Sequence, residues 1–313
     1  MKKTLIAFVL LLLAALSAAC GAEYAFTVID GTDCREETLS RGGVIDGPAL
    51  IYTAAGDVFY AEDYRVEEAL TGGILDPPDY TQMDVFRLTE EALAEQGRAL
   101  VVYIDGLGWE GFRQALDRGD LPVLSELNVV RAAGVYPTIT PVNYAAMVTG
   151  QPPRANGVTT RGIHQLQCPT IFDYCHEQSI SCCAVEGDLQ ILVFPDTELE
   201  LNPDLNGSGS GDDEVFDFAL AALEDHDFVF VHFHSLDDSE HDCGPESEEA
   251  RAALIQIDQW CGQLLGAWQG PVIICSDHGQ HDNDGSGDPE YADRSGSHGD
   301  FLPSDIFVPI FTR

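Results

Sequence analysis

An α/β fold with a mostly parallel central sheet, covered by helices on both faces, is what three observations predict. Apolar runs of strand length recur from residue 99 onward, they are continuous rather than alternating, and helical patterns lie between them. A strand buried on both faces needs apolar side chains in both directions, which is how a parallel sheet packed between helix layers reads. At 313 residues the chain can bury a large core as one domain or two modest ones.

In chain order, residues 1–19, MKKTLIAFVLLLLAALSAA, join two lysines to an apolar run and a small-residue exit. This is the pattern of an export signal, too short and wrongly flanked for a spanning helix. Cys20 directly follows LSAA, which resembles the lipobox of bacterial lipoproteins, although Ser17 stands where a branched apolar residue is usual. Export is therefore expected, as a cell-surface lipoprotein or a secreted protein, with membrane contact only through a lipid on Cys20. Residues 20–98 read as an N-terminal extension, with a hairpin in ALIYTAAGDVFYAEDY and a helix over Thr81–Gln96 stopped by Gly97. The main domain, 99–313, carries the strands ALVVYI (99–104), NVVRAAGVY (128–136), SCCAVE (181–186), DFVFVHF (227–233), GPVIIC (270–275) and IFVPIF (306–311). Its clearest helix begins near Glu246, where Ala250, Ala253, Leu254, Ile257, Trp260, Leu264, Leu265 and Trp268 share one face. NGSGSGDDE (206–214) reads as a loop.

Composition narrows the function. The only lysines are Lys2 and Lys3, so beyond the signal 13 arginines face 53 carboxylates, a formal charge of −40. Such a surface repels nucleic acid and excludes a basic nucleic-acid groove. It also repels phosphate esters, unless a bound metal inverts the field locally. Nine cysteines are present without a CxxC spacing, which disfavours zinc ribbons and thioredoxin-type motifs. Cys168, Cys175, Cys182 and Cys183 crowd one region, and their pairing is left open.

Three strands end in carboxylates. VVYID ends at Asp105, FVFVHFHSLD ends at Asp237 with His241 four residues on, and PVIICSD ends at Asp277 beside His278. In an open α/β sheet the carboxyl ends of the strands share one edge, where ligands bind. SGSHGDF adds His298 between small residues. One aspartate at a strand end reads as a cap or turn former. Five residues of ligand type at equivalent ends suit divalent ions. In YPTITPVNYAAM, Thr140 before Pro141 reads as the cap of a helix whose free amides face a phosphoryl group. Its hydroxyl becomes a competent nucleophile only beside a metal and is otherwise a cap. Asn143, one turn on, is placed to donate its amide to a phosphoryl oxygen.

In order and spacing, residues 99–313 resemble the alkaline phosphatase superfamily, specifically its nucleotide pyrophosphatase/phosphodiesterase-like branch. The resemblance implies an alkaline-phosphatase-like three-layer sandwich and a metal-dependent phosphoesterase catalytic domain. It implies one ion on Asp237, His241 and His298, and a second on Asp105, Thr140, Asp277 and His278. Zinc is the expected metal, with manganese or iron as alternatives. The implied path has two steps: Thr140 attacks phosphorus, and the phosphothreonine is then hydrolysed. The implied substrate is a small phosphoester or nucleotide-like molecule. The family's threonine commonly precedes Phe-Pro-Asn, whereas this chain reads TPVN, which shifts the proline but keeps the count. No Cys/Ser-x-Pro-x-Arg segment of a sulfatase lies near Thr140, and Arg154 and Arg161 fall in no pattern of a monoesterase's phosphate clamp. The alternatives are a phosphomonoesterase of the same superfamily and a non-catalytic metal-binding surface lipoprotein.

Other residues invite lesser readings. DNDGSGDPEYAD (282–293) fits a calcium loop, with Asp282, Asp284, Ser286, Gly287 and Asp293 in place but no flanking helices indicated. His232 and His234 alternate on one strand face, either supporting metal ligands or simply buried and hydrogen-bonded. His281 reads as an exposed loop residue, and Asp238 and Glu240 replace Asp237 only by breaking the four-residue spacing to His241.

Overall fold

A computed structural model describes residues 23–187, 189–195, 197–283 and 294–313. The export signal, Cys20 and all but the first two positions of the calcium-like loop lie outside the described residues. The chain divides into two compact units between Pro77 and Pro78.

In the first unit the strands are β1 (Glu23–Asp30), β2 (Asp33–Ser40), β3 (Val44–Ile45), β4 (Ala49–Thr53), β5 (Val58–Ala61), β6 (Tyr64–Arg65) and β7 (Leu70–Leu75). They form a five-stranded sheet ordered β2-β1-β7-β4-β5 and a small β3-β6 ladder. The expected hairpin is β4–β5, turning through Ala54–Asp57 with Gly56 at φ 88°. Phe26, Val28, Ile51, Val66 and Leu70 fill the core of this unit.

The second unit is built on an eight-stranded sheet. Its strands are β8 (Tyr80–Thr81), β9 (Ala99–Ile104), β10 (Asn128–Ala133), β11 (Cys182–Glu186), β12 (Glu198–Leu201), β13 (Phe228–Phe233), β14 (Val272–Cys275) and, past a short β15 (His281–Asp282) and β16 (Gly296–Ser297) ladder, β17 (Phe307–Thr312). The order is β12-β11-β13-β9-β14-β17-β10-β8, and only β17 runs antiparallel to its neighbours. The helices are α1 (Asp84–Gln96), α2 (Trp109–Arg118), α3 (Thr140–Thr149), α4 (Pro153–Asn156), α5 (Ile171–Gln178), α6 (Asp212–Asp225), α7 (Ser235–Cys243), α8 (Glu248–Ala267) and α9 (Pro303–Ile306).

Both faces of the sheet are covered, as the continuous apolar runs require. Leu100, Val102 and Ile104 of β9 pack with Phe112 of α2, Ala219 of α6 and Leu254 of α8. Side chains of opposite parity face α1, α3 and α5: the Tyr103 and Phe230 rings lie 5.3 Å from Tyr144 of α3 by centroid, and Phe172 of α5 lies 6.1 Å from Phe230. The expected boundary at 98 is corrected to 77 because α1 packs on α3, β9 and β14. That helix starts at Asp84, later than the expected Thr81, and ends with Gly97 in the left-handed region at φ 71°. Likewise α8 starts at Glu248, where the Ser247 side chain accepts from the Ala250 N–H.

One feature of this order sets up the site. β13, β9 and β14 are adjacent and parallel, with Phe233 opposite Ile104 and Cys275 opposite Tyr103. Their carboxyl ends therefore emerge together.

Candidate metal centre

The residue after β9 is Asp105, and two residues after β14 comes Asp277; both are fully buried. Asp237 does not end a strand as expected. It lies in the first turn of α7, and His241 follows one turn later on the same face, four residues apart. The β15–β16 ladder brings the chain back so that His298, just beyond Ser297, reaches the same point. Here His298 Nε2 lies 3.8 Å from Asp237 Oδ1, and His241 Nε2 lies 3.5 Å from Asp237 Oδ2. His278 Nε2 lies 3.0 Å from Asp277 Oδ2 and 3.5 Å from Asp105 Oδ1. The rings of His278 and His298 stack with centroids 3.7 Å apart.

Two donor groups result, Asp105–Asp277–His278 and Asp237–His278–His298, each with its ligand atoms within 4.8 Å of one another. His278 is common to both, so the two ligand sets expected from sequence merge into one centre. The surrounding polar groups aim the ligands inward. His298 Nδ1 bonds Thr138 O at 2.7 Å and His241 Nδ1 bonds Gly296 O at 3.0 Å, which leaves each Nε2 for the centre. Gln280 Nε2 donates to Asp237 Oδ1 at 2.7 Å, the Gly106 N–H donates to Asp277 Oδ1 at 3.2 Å, and Gln82 Nε2 donates to the carbonyls of Ser276 and Asp277.

Thr140 reaches the centre, but not as a cap. It is the first residue of α3, with Ile139 at the cap position, and its Oγ1 lies 3.4 Å from His278 Nε2. The expected array of free amides is largely spent: Pro141 has none, and the N–H groups of Val142 and Asn143 both donate to Ile139 O. Asn143 is also corrected. It is fully buried, its Oδ1 accepts from the Val135 N–H at 2.9 Å, and its Nδ2 donates to Pro137 O at 2.9 Å and Ile139 O at 3.2 Å. Its amide therefore pins the loop leading into Thr140 and does not face a substrate.

The structure adds residues that the motif reading left aside. His232 Nε2 and His234 Nδ1 both meet Asp105 Oδ2, at 3.0 and 2.7 Å. Glu186, the last residue of SCCAVE and thus a third strand-end carboxylate, is fully buried and accepts the Tyr144 hydroxyl at 2.6 Å. Its position at the end of a continuous apolar run is the same signal that marks Asp105. His281 is not an exposed loop residue: it lies in β15, only 15 % exposed, with Nδ1 2.8 Å from Asp305 Oδ1. Asp238 faces outward, its side chain 59 % exposed.

Electrostatics explain what this arrangement lacks. Burial, then the charges of Asp105 and Asp237, push Asp277 well above the usual carboxylate range. Glu240 is raised in the same way, by burial and then by Asp237, Asp105 and Asp277. Burial also works against the charge on Asp105, yet the His234 charge and the hydrogen bonds from His232 and His234 hold it well below the usual range. Burial lowers His278 and His298, the latter well below its ordinary value, and the charge of Arg161 adds to both effects. With His278 and His298 biased toward neutrality, three crowded carboxyl groups and a buried Asp105 Oδ1 that accepts no hydrogen bond, the set is short of positive charge beyond that of His234. Divalent cations fit that set.

The chain is similar to known proteins in sequence profile and in fold. A family profile described as type I phosphodiesterase / nucleotide pyrophosphatase matches residues 99–177 and 185–296. No curated protein matches the chain by sequence. Among solved structures, murine ectonucleotide pyrophosphatase / phosphodiesterase 5 superposes with a TM-score of 0.54 at 15 % identity, over 69 % of this chain and 87 % of that one. An inactive variant of the murine protein in complex with AMP gives 0.53 at 15 % identity over the same shares, 69 % and 87 %. A phosphonoacetate hydrolase from Sinorhizobium meliloti 1021 gives 0.47 at 18 % identity, over 58 % of this chain and 56 % of that one. The profile spans more than half of the chain and contains Asp105, Thr140, Asp237, His241, Asp277 and His278. The chain belongs to the type I phosphodiesterase / nucleotide pyrophosphatase family, and so to the metal-dependent hydrolases of phosphoric esters.

Proposed function

We propose that this chain is an exported, two-ion hydrolase of phosphodiester or nucleotide pyrophosphate bonds that works through a phosphothreonine on Thr140. The observation that carries the reading is the convergence of the buried Thr140 hydroxyl, 3.4 Å from His278 Nε2, on the Asp105–Asp277–His278 donor group. Asp105, Thr140, Asp277 and His278 would hold one ion, and Asp237, His241 and His298 the other. The mixed carboxylate and imidazole donors suit zinc, with manganese or iron as alternatives. When bound, such ions lower the pKa of a coordinated hydroxyl and stabilise the charge that develops on attacking and leaving oxygens.

The chain's own residues do the positioning. Asn143 fixes the loop before α3, so that Thr140 meets the centre from a rigid helix start. Thr138 and Gly296 carbonyls set the His298 and His241 rings. Arg161 brings positive charge near His278 and His298 in a chain otherwise dense in carboxylates. The AMP complex of the murine neighbour supports a small nucleotide-like substrate. Export, with a lipid on Cys20 or simple secretion, rests on the 1–19 pattern. Among the described residues no helix is long and apolar enough to cross a membrane.

The Arg161 charge favours one second reading, a phosphomonoesterase, because a monoester dianion gains most from an arginine. Hydrolysis of bis-p-nitrophenyl phosphate against p-nitrophenyl phosphate separates the two, and a clear monoester preference selects the second. Thr140→Ala is expected to lower turnover by at least about a thousandfold while the fold and most metal binding persist, because only the nucleophile is lost. Undiminished turnover in that variant would show the nucleophile to be another group.

A further inference from the structure

Four cysteines, Cys168, Cys175, Cys182 and Cys183, crowd one stretch of the chain, and the proposed catalysis uses none of them. The fold sorts them. Cys182 and Cys183 are consecutive in β11, so the pleat points their side chains to opposite faces of the sheet. Cys183 belongs to the core shared with α6 and α8. Cys168 hydrogen-bonds the Thr149 side chain. Cys182 takes the other face of β11, toward α5, and there the Cys175 thiol donates a hydrogen bond to its sulfur.

The end of α5 produces this meeting. Ser179 caps the helix in the left-handed region at φ 59°, and its N–H returns to the carbonyls of Cys175 and His176. The Ile180 N–H then donates to Cys175 O at 2.8 Å, and the chain enters β11 alongside the last turn of α5. The two sulfurs are not equivalent. Cys175 is fully buried, whereas Cys182 keeps 8 % exposure, and its Sγ lies 3.6 Å from Nε2 of the exposed His176. The hydrogen bond from Cys175, then the charge and hydrogen bond of His176 and the charge of His226, outweigh burial and lower the Cys182 thiol to about 7. Cys175 is pushed the opposite way, by the same hydrogen bond and then by burial. An accessible thiolate with a protonated thiol behind it is how an attacking and a resolving cysteine are arranged.

We propose that Cys175 and Cys182 form a reactive dithiol that closes to a disulfide by exchange with an organic disulfide, Cys182 attacking first. The Cys182 thiolate attacks one sulfur of the donor, which makes a mixed disulfide and expels half of the donor as a thiolate. Cys175 gives up its proton, attacks Cys182 Sγ and expels the other half. Two protein thiols are thereby oxidised to one disulfide, the donor is reduced to two thiols, and the two protein protons end on them. The closed form ties α5 to the strand whose far end carries Glu186. The proposal goes beyond the phosphoesterase reading and does not rest on it.

The reduced full chain is incubated with oxidised glutathione, quenched with an alkylating reagent and digested, without reduction, by a protease that cuts after glutamate. Cleavage after Glu126, Glu177 and Glu186 places Cys175 and Cys182 on separate peptides, 127–177 and 178–186. In Cys168→Ser/Cys183→Ala these peptides hold no other cysteine. Mass spectrometry is expected to find them joined in wild type and in this double variant. Cys175→Ser is expected to stop at the mixed disulfide, with one glutathione on Cys182, and Cys182→Ser to take up none on Cys175. Unjoined peptides in wild type, or a link lost in the double variant, would overturn the pair. Glutathione on Cys175 in Cys182→Ser, with none on Cys182 in Cys175→Ser, would overturn the order of attack.

Discussion

At Asp277 the chain without metal holds a carboxyl whose charge is opposed by its own burial and by Asp105 and Asp237. A ligating carboxylate must be ionised, so an arriving cation displaces the proton that this raised group retains. The sign follows. Below the raised pKa of Asp277, binding releases a proton and affinity climbs with pH; above it, that contribution levels off. Calorimetric titration of zinc in buffers of different ionisation enthalpy is expected to show net proton release and weaker binding as pH falls. Asp277→Asn removes the charge and is expected to lower both metal content and turnover, whereas unchanged stoichiometry would count against its role as a ligand. The candidate ligands Asp105 and Asp277 could be picked out in sequence because each closely follows an uninterrupted apolar strand. Asn143 was misread because its partners, Val135, Pro137 and Ile139, are a loop conformation that no spacing announces. The grip of His232 and His234 on one oxygen of Asp105 was equally hidden, since it joins residues 127 and 129 positions apart.

Among the elements, α7 shows most clearly what a periodicity argument misses. Its buried face is made of Leu236, Asp237, Glu240 and His241, so the stripe that should be apolar is polar. A helix that packs its acids and imidazoles on a candidate metal centre does not look amphipathic in the ordinary sense. The loops that follow β9 and β14 make a different demand. A Cβ on Gly279 would collide with Ser304 O and lie 2.5 Å from the Gly108 Cα, so these loops approach backbone to backbone. Gly279 follows His278 directly, and any side chain there must displace the ligand loop. Gly279→Ala is expected to cost about 1–3 kcal/mol of stability through overpacking and to weaken metal binding as well. Urea unfolding together with metal analysis checks both, and a variant as stable as wild type would show that the loops have slack.

For the molecule as a whole, a formal charge of −38 surrounds a centre that handles phosphate esters. An anionic substrate approaches against that field, so salt should assist encounter. Raising ionic strength from about 10 mM to about 150 mM shortens the screening length from about 30 Å to about 8 Å. The expected outcome is a rise in kcat/KM for an anionic diester and little change for a neutral ester; a fall for the anionic one would mean that the centre's cations dominate the approach. At this scale the sheet was readable, because a strand buried on both faces leaves an uninterrupted apolar run. Ownership of α1 was not, because β14 and α3, which hold it to the main sheet, lie far along the chain.

The strand order has a consequence for how the chain acquires its chemistry. β9 is made early in synthesis, yet its sheet neighbours arrive only with residues 228–233 and 272–275. Contacts across so long a separation form late, after much loop-closing entropy has been spent. A nascent chain that has not yet delivered β14 owns neither Asp277 nor His278, and His298 follows later still. Competence therefore comes with completion, and the unfinished polypeptide has no assembled pocket in which to capture ions.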